Sequence, residues 1–137
     1  MTLLELIKNH GKPKALLDDW DDTENPKAIF DFEEIFMINN NGKPLLNGKI
    51  ITNDPITAFQ KTLNKWKTKS DDLAAIGYIS YDLKNLLYPH LDFKPNNDDS
   101  PLLWFAKPGM TMNYEIDNKI NDIQPIDLKL IQNLHNL

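Results

Sequence analysis

The sequence predicts an α+β fold, in which mostly antiparallel sheet layers carry a few flanking helices. Short apolar segments outnumber the helical ones, and they come in pairs separated by turn residues, as antiparallel hairpins do. Strand and helix patterns do not alternate regularly, which disfavours a parallel sheet with crossover helices. The 137 residues fit one domain spanning Met1–Leu137, and a domain of this size buries roughly two-thirds of its unfolded surface.

Composition excludes several classes of site. The net charge of −5 disfavours nucleic-acid binding, which requires clustered cations. Every basic residue is Lys, so no guanidinium group is available to hold a carboxylate or phosphate in two hydrogen bonds. The absence of Cys excludes disulfides, thiolate catalysis and Cys-ligated zinc. No apolar stretch is long enough to span a membrane, and the acidic first turn differs from a secretory signal. We therefore expect a cytoplasmic protein without nucleic-acid or membrane partners.

The first third of the chain predicts one helix followed by strands. Thr2 and Glu5 have capping-box spacing, and Gly11 is suited to end a helix, so a helix is predicted over Leu3–His10. Residues 14–19 form a short apolar segment that leads into acidic residues. Residues 28–38 predict a strand whose alternation changes phase at two consecutive glutamates, where a β-bulge would keep one face buried.

Turn signals and a well-capped helix follow. A turn is predicted over residues 39–42, and a hairpin over residues 45–50, which contain the Asn-Gly pair typical of two-residue hairpin loops. Asp54 can cap the next helix, and Pro55 fits its first position. The apolar stripe of this helix consists of Ile56, Phe59, Leu63 and Trp66. Its carboxyl end is cationic and contains Lys65, Lys67 and Lys69. Residues 70–72 are predicted to end the helix.

Residues 73–81 and 102–106 predict two strands that are buried on both faces. Both are runs of apolar and small residues without polar alternation. Gly77 marks a position where two backbones approach closely. The remaining predicted elements are a helical turn over residues 84–91, a hairpin over residues 111–116 and 119–123, and a closing helix after Pro125.

The sequence contains no recognisable catalytic or metal-binding pattern. His10, His90 and His135 are far apart in the sequence, and surface positions are expected for them. The acidic cluster over residues 18–24 lacks the ligand spacing of a calcium loop, because Trp20 takes the third position. A solvated acidic face is therefore predicted there and at residues 98–99.

The remaining candidate residues are Ser80, Tyr81 and Asp82 at the end of a predicted strand, and the three tryptophans. Ser80 and Asp82 share one face of a strand, but no His accompanies them and no nucleophile elbow surrounds Ser80. The expected role of Tyr81 and Asp82 is to fix the strand end, with the Asp82 carboxylate accepting backbone N–H bonds. Two tryptophans, Trp66 and Trp104, are expected in the core, whereas Trp20 in a polar loop is the candidate contact residue.

Four segments between roughly residue 14 and residue 109 carry a family resemblance. Residues 77–82 read GYISYD, residues 98–105 join an acidic loop to a Trp-Phe strand, and Asp54-Pro55 opens a helix. Residues 16–19 read LLDD, where the family has a Leu-Leu-Glu-Ser-like motif. Together these segments resemble the amino-terminal domain of the chorismate-using synthases, the family of anthranilate synthase component I and aminodeoxychorismate (para-aminobenzoate) synthase component I.

The resemblance implies a non-catalytic, regulatory and scaffolding role. In the family, the chorismate and magnesium sites belong to a larger carboxy-terminal domain whose motifs do not occur before Leu137. The chain alone is therefore expected to contain no catalytic residue, cofactor or metal, and to resemble half of the synthase β-sandwich. Its expected partners are a chorismate-binding catalytic domain or chain and a glutamine amidotransferase subunit.

The resemblance also implies a weak tryptophan-like pocket at Leu17, Asp18 and Asp19. In feedback-inhibited members, the Glu-Ser of this motif helps to hold tryptophan, so Asp18 would take the ammonium group and Leu17 would line an apolar slot. Asp19 replaces the Ser, which removes a hydroxyl donor and adds a like charge near the ligand carboxylate. Weak or absent binding of free tryptophan is expected, and the Asp19 replacement resembles the aminodeoxychorismate branch of folate biosynthesis more than the anthranilate branch.

Alternatives remain open on sequence alone. The chain can belong to the anthranilate branch of tryptophan biosynthesis, or it can be an independent module that reuses the fold to bind a small ligand or a protein. A docking domain predicts apolar residues open to water on the outer face of the strands over residues 73–81 and 102–106. An independent module predicts a polar surface there.

Overall fold

A computed structural model describes residues 1–18, 26–67, 73–93 and 99–115. Its described helices and antiparallel sheets confirm the α+β class. Two compact units are present, Met1–Phe30 with Thr111–Leu137 and Asp31–Met110. The described elements in chain order are α1 (Leu3–His10), β1 (Ala15–Leu17), β2 (Lys27–Ile29), β3 (Phe32–Ile38), β4 (Pro44–Leu46), β5 (Lys49–Ile50), α2 (Pro55–Trp66), β6 (Ile76–Ile79), a 3-10 helix (Tyr81–Leu83), α3 (Lys84–Leu87), β7 (Leu103–Pro108) and β8 (Thr111–Asn113).

The first unit contains α1 and a three-stranded antiparallel sheet in the order β1-β2-β8. The predicted bounds of α1 are confirmed: the Thr2 side chain accepts a hydrogen bond from the Glu5 N–H at 3.3 Å, and the Gly11 N–H closes the helix on the Ile7 carbonyl. Leu6 on α1 is fully buried against Ala28, Phe30 and Tyr114, and these four residues form the core of this unit.

The second unit contains an antiparallel sheet in the order β5-β4-β3-β7-β6. The strand predicted over residues 28–38 is divided, because β2 belongs to the first unit and β3 to the second. The break falls at Asp31, whose carbonyl accepts from the Gly109 N–H at 2.9 Å and whose carboxylate accepts from the Met110 N–H. The predicted bulge is confirmed as a register shift between Phe32 and Glu34.

The predicted Asn-Gly hairpin is confirmed as β4 and β5. Asn47 and Gly48 have φ angles of 51° and 81°, as a two-residue type I′ turn requires. The Asn47 side chain also accepts from the Ile35 N–H at 2.9 Å, and its own N–H donates to the Ile35 carbonyl at 2.8 Å. The loop is therefore bonded directly to the neighbouring strand.

Helix α2 covers one face of this sheet, and side chains from the helix and the sheet together form the core of the second unit. The Asp54 side chain accepts from the Thr57 N–H at 3.0 Å, which confirms the predicted cap. Trp66 is fully buried with Phe36, Ile38 and Leu103, and the rest of the predicted stripe packs around them half-buried. The helix ends at Trp66, earlier than the predicted stop over residues 70–72, and Lys67 caps it with its N–H bonded to the Leu63 carbonyl. Burial of this stripe stabilises the unit by the usual ~25 cal/mol per Å² of apolar area removed from water.

Two strand predictions need correction. The strand predicted over residues 73–81 is only β6, and it is an exposed edge strand rather than one buried on both faces. Tyr81 lies in the 3-10 helix with 82% of its surface exposed. Trp104 on β7 is half-buried rather than a core residue, although Leu103 and Ala106 on the same strand are buried. The helical turn predicted over residues 84–91 is the shorter α3.

Several predictions fall outside the described residues. They are the second strand of the hairpin over residues 119–123, the closing helix after Pro125, His135, Trp20, Asp19 with most of the acidic cluster, and Lys69.

Candidate functional site

Two of the three residues predicted to form a ligand pocket lie at the end of β1. Leu17 is half-buried and pairs with Lys27 of β2, and Asp18 follows it with an exposed side chain. Asp19 lies outside the described residues. The predicted ligand contacts of Leu17 and Asp18 therefore stay a prediction.

Tyr114 is the residue near Asp18 that the sequence reasoning missed. Its ring is buried with Leu6 and Phe30 in the core of the first unit. Burial raises the pKa of its phenol above the ordinary value of 10.0, and the negative charge of Asp18 raises this pKa further. No sequence signal indicates that Asp18 and Tyr114 are close, because the whole second unit separates them in the chain. Tyr114 follows β8, which belongs to the sheet of the first unit.

The raised pKa of Tyr114 predicts a pH effect. Since the folded-state pKa exceeds that of the unfolded chain, the neutral phenol favours folding below pH 10, and this contribution is lost as pH rises through the folded pKa. We expect the tyrosinate absorbance of Tyr114, taken as the difference between wild type and Tyr114→Phe, to titrate above pH 10. Asp18→Asn should lower this midpoint, yet leave it above 10 because burial is the larger cause. A wild-type midpoint at or below 10 would contradict the assignment.

A second candidate site is the set of exposed apolar residues along β6 and α3, in which Tyr78 lies on the outer face of the sheet with Trp104 and Ile79 lies on the α2 face with Leu103. Six residues define this β6–α3 surface, and their side chains are 45–82% exposed: Tyr78, Ile79, Tyr81, Leu87, Tyr88 and Leu91. The described chain has eleven such exposed large apolar residues, and more than half of them fall within this one stretch of fourteen positions. The docking hypothesis predicted exposed apolar residues on the strand over residues 73–81, but the strand itself was predicted to be buried on both faces, and no exposed apolar residues were predicted on α3.

Tyr78 connects this set to the outer face of β6 and β7. Trp104 contacts Phe32 edge-on, with ring centroids 5.5 Å apart, and stacks on Tyr78 at 6.4 Å and an angle of 14°. These rings lie on the face opposite α2, because Trp104 alternates with the inward-facing Leu103 and Phe105. The result is an aromatic row that ends at the 45% exposed Tyr78.

Lys84 provides a cation beside this surface. Its Nζ lies 3.7 Å from the centroid of the Tyr81 ring and 4.9 Å from that of Phe93. Such a contact is worth about 0.5–1 kcal/mol at an exposed site. The contact therefore favours the observed position of the 82% exposed Tyr81 ring.

The Ser80–Asp82 pair has a structural role. The Ser80 Oγ accepts from the Asp82 N–H at 3.2 Å and caps the 3-10 helix. The Ser80 hydroxyl therefore caps the 3-10 helix at the strand end, and the acceptor role of the Asp82 carboxylate stays a prediction. Neither residue is placed as a nucleophile or base.

The histidines and acidic residues form no centre in the described part of the chain. His10 packs on Phe30 at 5.4 Å between centroids, and His90 contacts Tyr88 edge-on at 6.5 Å. Both side chains are exposed, as predicted. Residues 1–18, 26–67, 73–93 and 99–115 contain no group of three or more His, Asp or Glu side chains that could hold a metal ion. Within the same ranges, no helix has the length and apolar character needed to cross a membrane.

Comparisons with protein-family models, with curated proteins and with solved structures returned no match.

Proposed function

We propose that this chain is a non-catalytic docking domain, the scaffolding part of a chorismate aminating synthase of the aminodeoxychorismate synthase component I type. The observation that carries the proposal is the exposed β6–α3 surface, which contains three of the four tyrosines of the chain. Scattered exposed apolar residues are normal in proteins, but a concentrated set is typical of a protein-binding site. Tyr is also enriched in the residues that dominate binding energy at interfaces.

The family resemblance supports the choice of partner. The GYISYD segment that carries the resemblance, residues 77–82, is also the segment that contains Tyr78, Ile79 and Tyr81 of the exposed surface. The residues that resemble a chorismate-using synthase and the residues open to a partner therefore coincide. The proposed partner is a chorismate-binding catalytic chain, with a glutamine amidotransferase subunit in the same assembly. Magnesium would belong to the catalytic chain, and the expected cytoplasmic location is part of this proposal.

An apolar surface of this kind favours docking over an independent module with a polar outer face. Tyr78 on the outer face of β6 is open to water, and the stacked Trp104 beside it is half-buried. Desolvation of such rings in an interface typically contributes more than polar rim contacts.

The proposal is tested by measuring complex formation with a chorismate-binding catalytic chain that lacks its own amino-terminal domain. We expect calorimetric binding, and we expect Leu87→Asp to weaken it at least tenfold, which corresponds to about 1.4 kcal/mol. The reason is that the substitution places an uncompensated charge in an apolar interface.

The matched control is Leu16→Asp. Leu16 and Leu87 are the same residue type and are both 48% exposed, but Leu16 lies on β1 in the other unit. Binding that both variants weaken equally, or no binding by wild type, would contradict the proposal. Micromolar binding of free tryptophan in the same calorimeter would favour the anthranilate branch, for which the open Asp18 carboxylate beside Leu17 is the supporting observation.

A further inference from the structure

The backbone of β6 presents unpaired hydrogen-bonding groups along the free edge of the five-stranded sheet. The Ser80 N–H donates to the Leu102 carbonyl at 2.8 Å, so the Ile79–Leu103 pair is a non-hydrogen-bonded one. By alternation, Tyr78 and Ile76 direct their N–H and C=O groups to β7, whereas Gly77 and Ile79 direct theirs away from it. Within the described residues, these outward groups bond to no other strand.

This edge lacks the features that usually prevent edge-to-edge pairing. Proteins protect free edges with charged residues, proline or bulges. The four residues of β6, IGYI, contain none of these, and Ile79 is 58% exposed. The opposite edge is different, because β5 is two residues long and one of them is Lys49. The β6 edge is therefore the one suited to receive another strand.

We propose that β6 pairs antiparallel with β6 of a second copy of this chain, about a two-fold axis at Tyr78. In that register, Gly77 of one copy lies opposite Ile79 of the other. Each such pair exchanges two hydrogen bonds, so four bonds form and every outward N–H and C=O of Gly77 and Ile79 is satisfied. The two five-stranded sheets become one continuous sheet of ten strands.

Side chains favour a second copy over an unrelated strand. In this register the exposed, branched Ile79 lies opposite Gly77 of the other copy, which has no side chain that could collide with it. On the other face, the half-exposed Tyr78 rings of the two copies meet at a directly opposed position, where aromatic pairs are favourable. The inference does not rest on the proposed function, because edge pairing needs only β6.

Sedimentation of the whole chain over a concentration series tests the pairing. We expect a monomer–dimer equilibrium, and we expect Ile79→Lys to weaken the dimer at least tenfold, because it places a charge within the edge. The matched control is Ile50→Lys, since Ile50 is 63% exposed on the opposite edge strand β5 and should dimerise like wild type. Circular dichroism verifies that both variants are folded.

Hydrogen exchange provides a second measurement that does not depend on a variant. The Gly77 and Ile79 amides should exchange more slowly as protein concentration rises, because pairing protects them. A protein that stays monomeric up to about 1 mM, a limit near the weakest specific affinities, would overturn the proposal. A dimer that Ile79→Lys leaves intact, or one in which these two amides exchange as rapidly as in the monomer, would also overturn it.

Discussion

Gly77→Ala should destabilise the second unit by about 3 kcal/mol, the upper range for overpacking in a close-packed site. A Cβ built on Gly77 would lie 2.7 Å from the Phe105 Cα and from the Phe105 Cγ, and it would also meet the Trp104 carbonyl oxygen. Two of these atoms belong to the backbone of β7, so relief requires β6 to move away from the sheet. Thermal unfolding should show a fall of roughly 10 °C in Tm.

Gly48→Ala is the matched control for this substitution. Its added Cβ would meet no atom within 4 Å, but Gly48 has a φ of 81°, so the cost is the backbone strain of about 1 kcal/mol. The backbone of Gly77 is outside the left-handed region, and its cost comes from collision alone. A Gly77→Ala variant that is more stable than Gly48→Ala would contradict the packing of β6 on β7.

Phe36→Ala should cost about 3–5 kcal/mol of unfolding free energy, as expected for the loss of a buried aromatic ring. Phe36 is 0% exposed in the middle of β3, and its ring lies 5.5 Å from that of Phe59 on α2. The substitution would leave a cavity between the sheet and α2, which a close-packed interior cannot fill by relaxation alone. Denaturant unfolding measures the change as a lower midpoint with an unchanged m-value.

Two further variants show whether the cost arises from the cavity. Phe36→Leu retains most of the apolar volume and should cost less than about 1.5 kcal/mol. Ile50→Ala removes an exposed side chain from the same sheet and should change stability by no more than about 0.5 kcal/mol. Equal losses in Phe36→Ala and Ile50→Ala would show that β3 is not the centre of the core.

Local signals were sufficient wherever one residue and its near neighbours determine the geometry. Thr2 caps α1 and Asp54 caps α2 because the side-chain oxygen of each accepts from an N–H three residues on. Both are residue types preferred at N-caps, so the sequence predicts them. Asn47 and Gly48 likewise fold their hairpin through φ angles that few other residues adopt. The change of alternation at the two consecutive glutamates predicted the bulge. In the structure both glutamates form ion pairs with lysines, Glu33 with Lys107 and Glu34 with Lys65.

The sequence predicted less of the candidate sites than of the fold. Leu17 and Asp18 were identified only through a family resemblance, and the neighbouring Tyr114 reaches Asp18 by a long-range pairing of β2 with β8. The β6–α3 surface was predicted only in part. The docking hypothesis expected exposed apolar residues on β6, but an apolar run such as IGYI also has the pattern of a buried strand when its neighbours in space are unknown.

The sequence by itself determined the α+β class and the close approach at Gly77. It also determined the Thr2 cap of α1, the Asp54 cap of α2 and the Asn-Gly turn of the β4–β5 hairpin. These features depend on bonds between residues a few positions apart, or on one missing side chain. Only the tertiary structure decided that β2 and β3 belong to different sheets and that β6 lies at an edge. Strand order depends on contacts between residues far apart in the chain, so the same apolar residues can be core or binding surface according to which strand, if any, lies beside them.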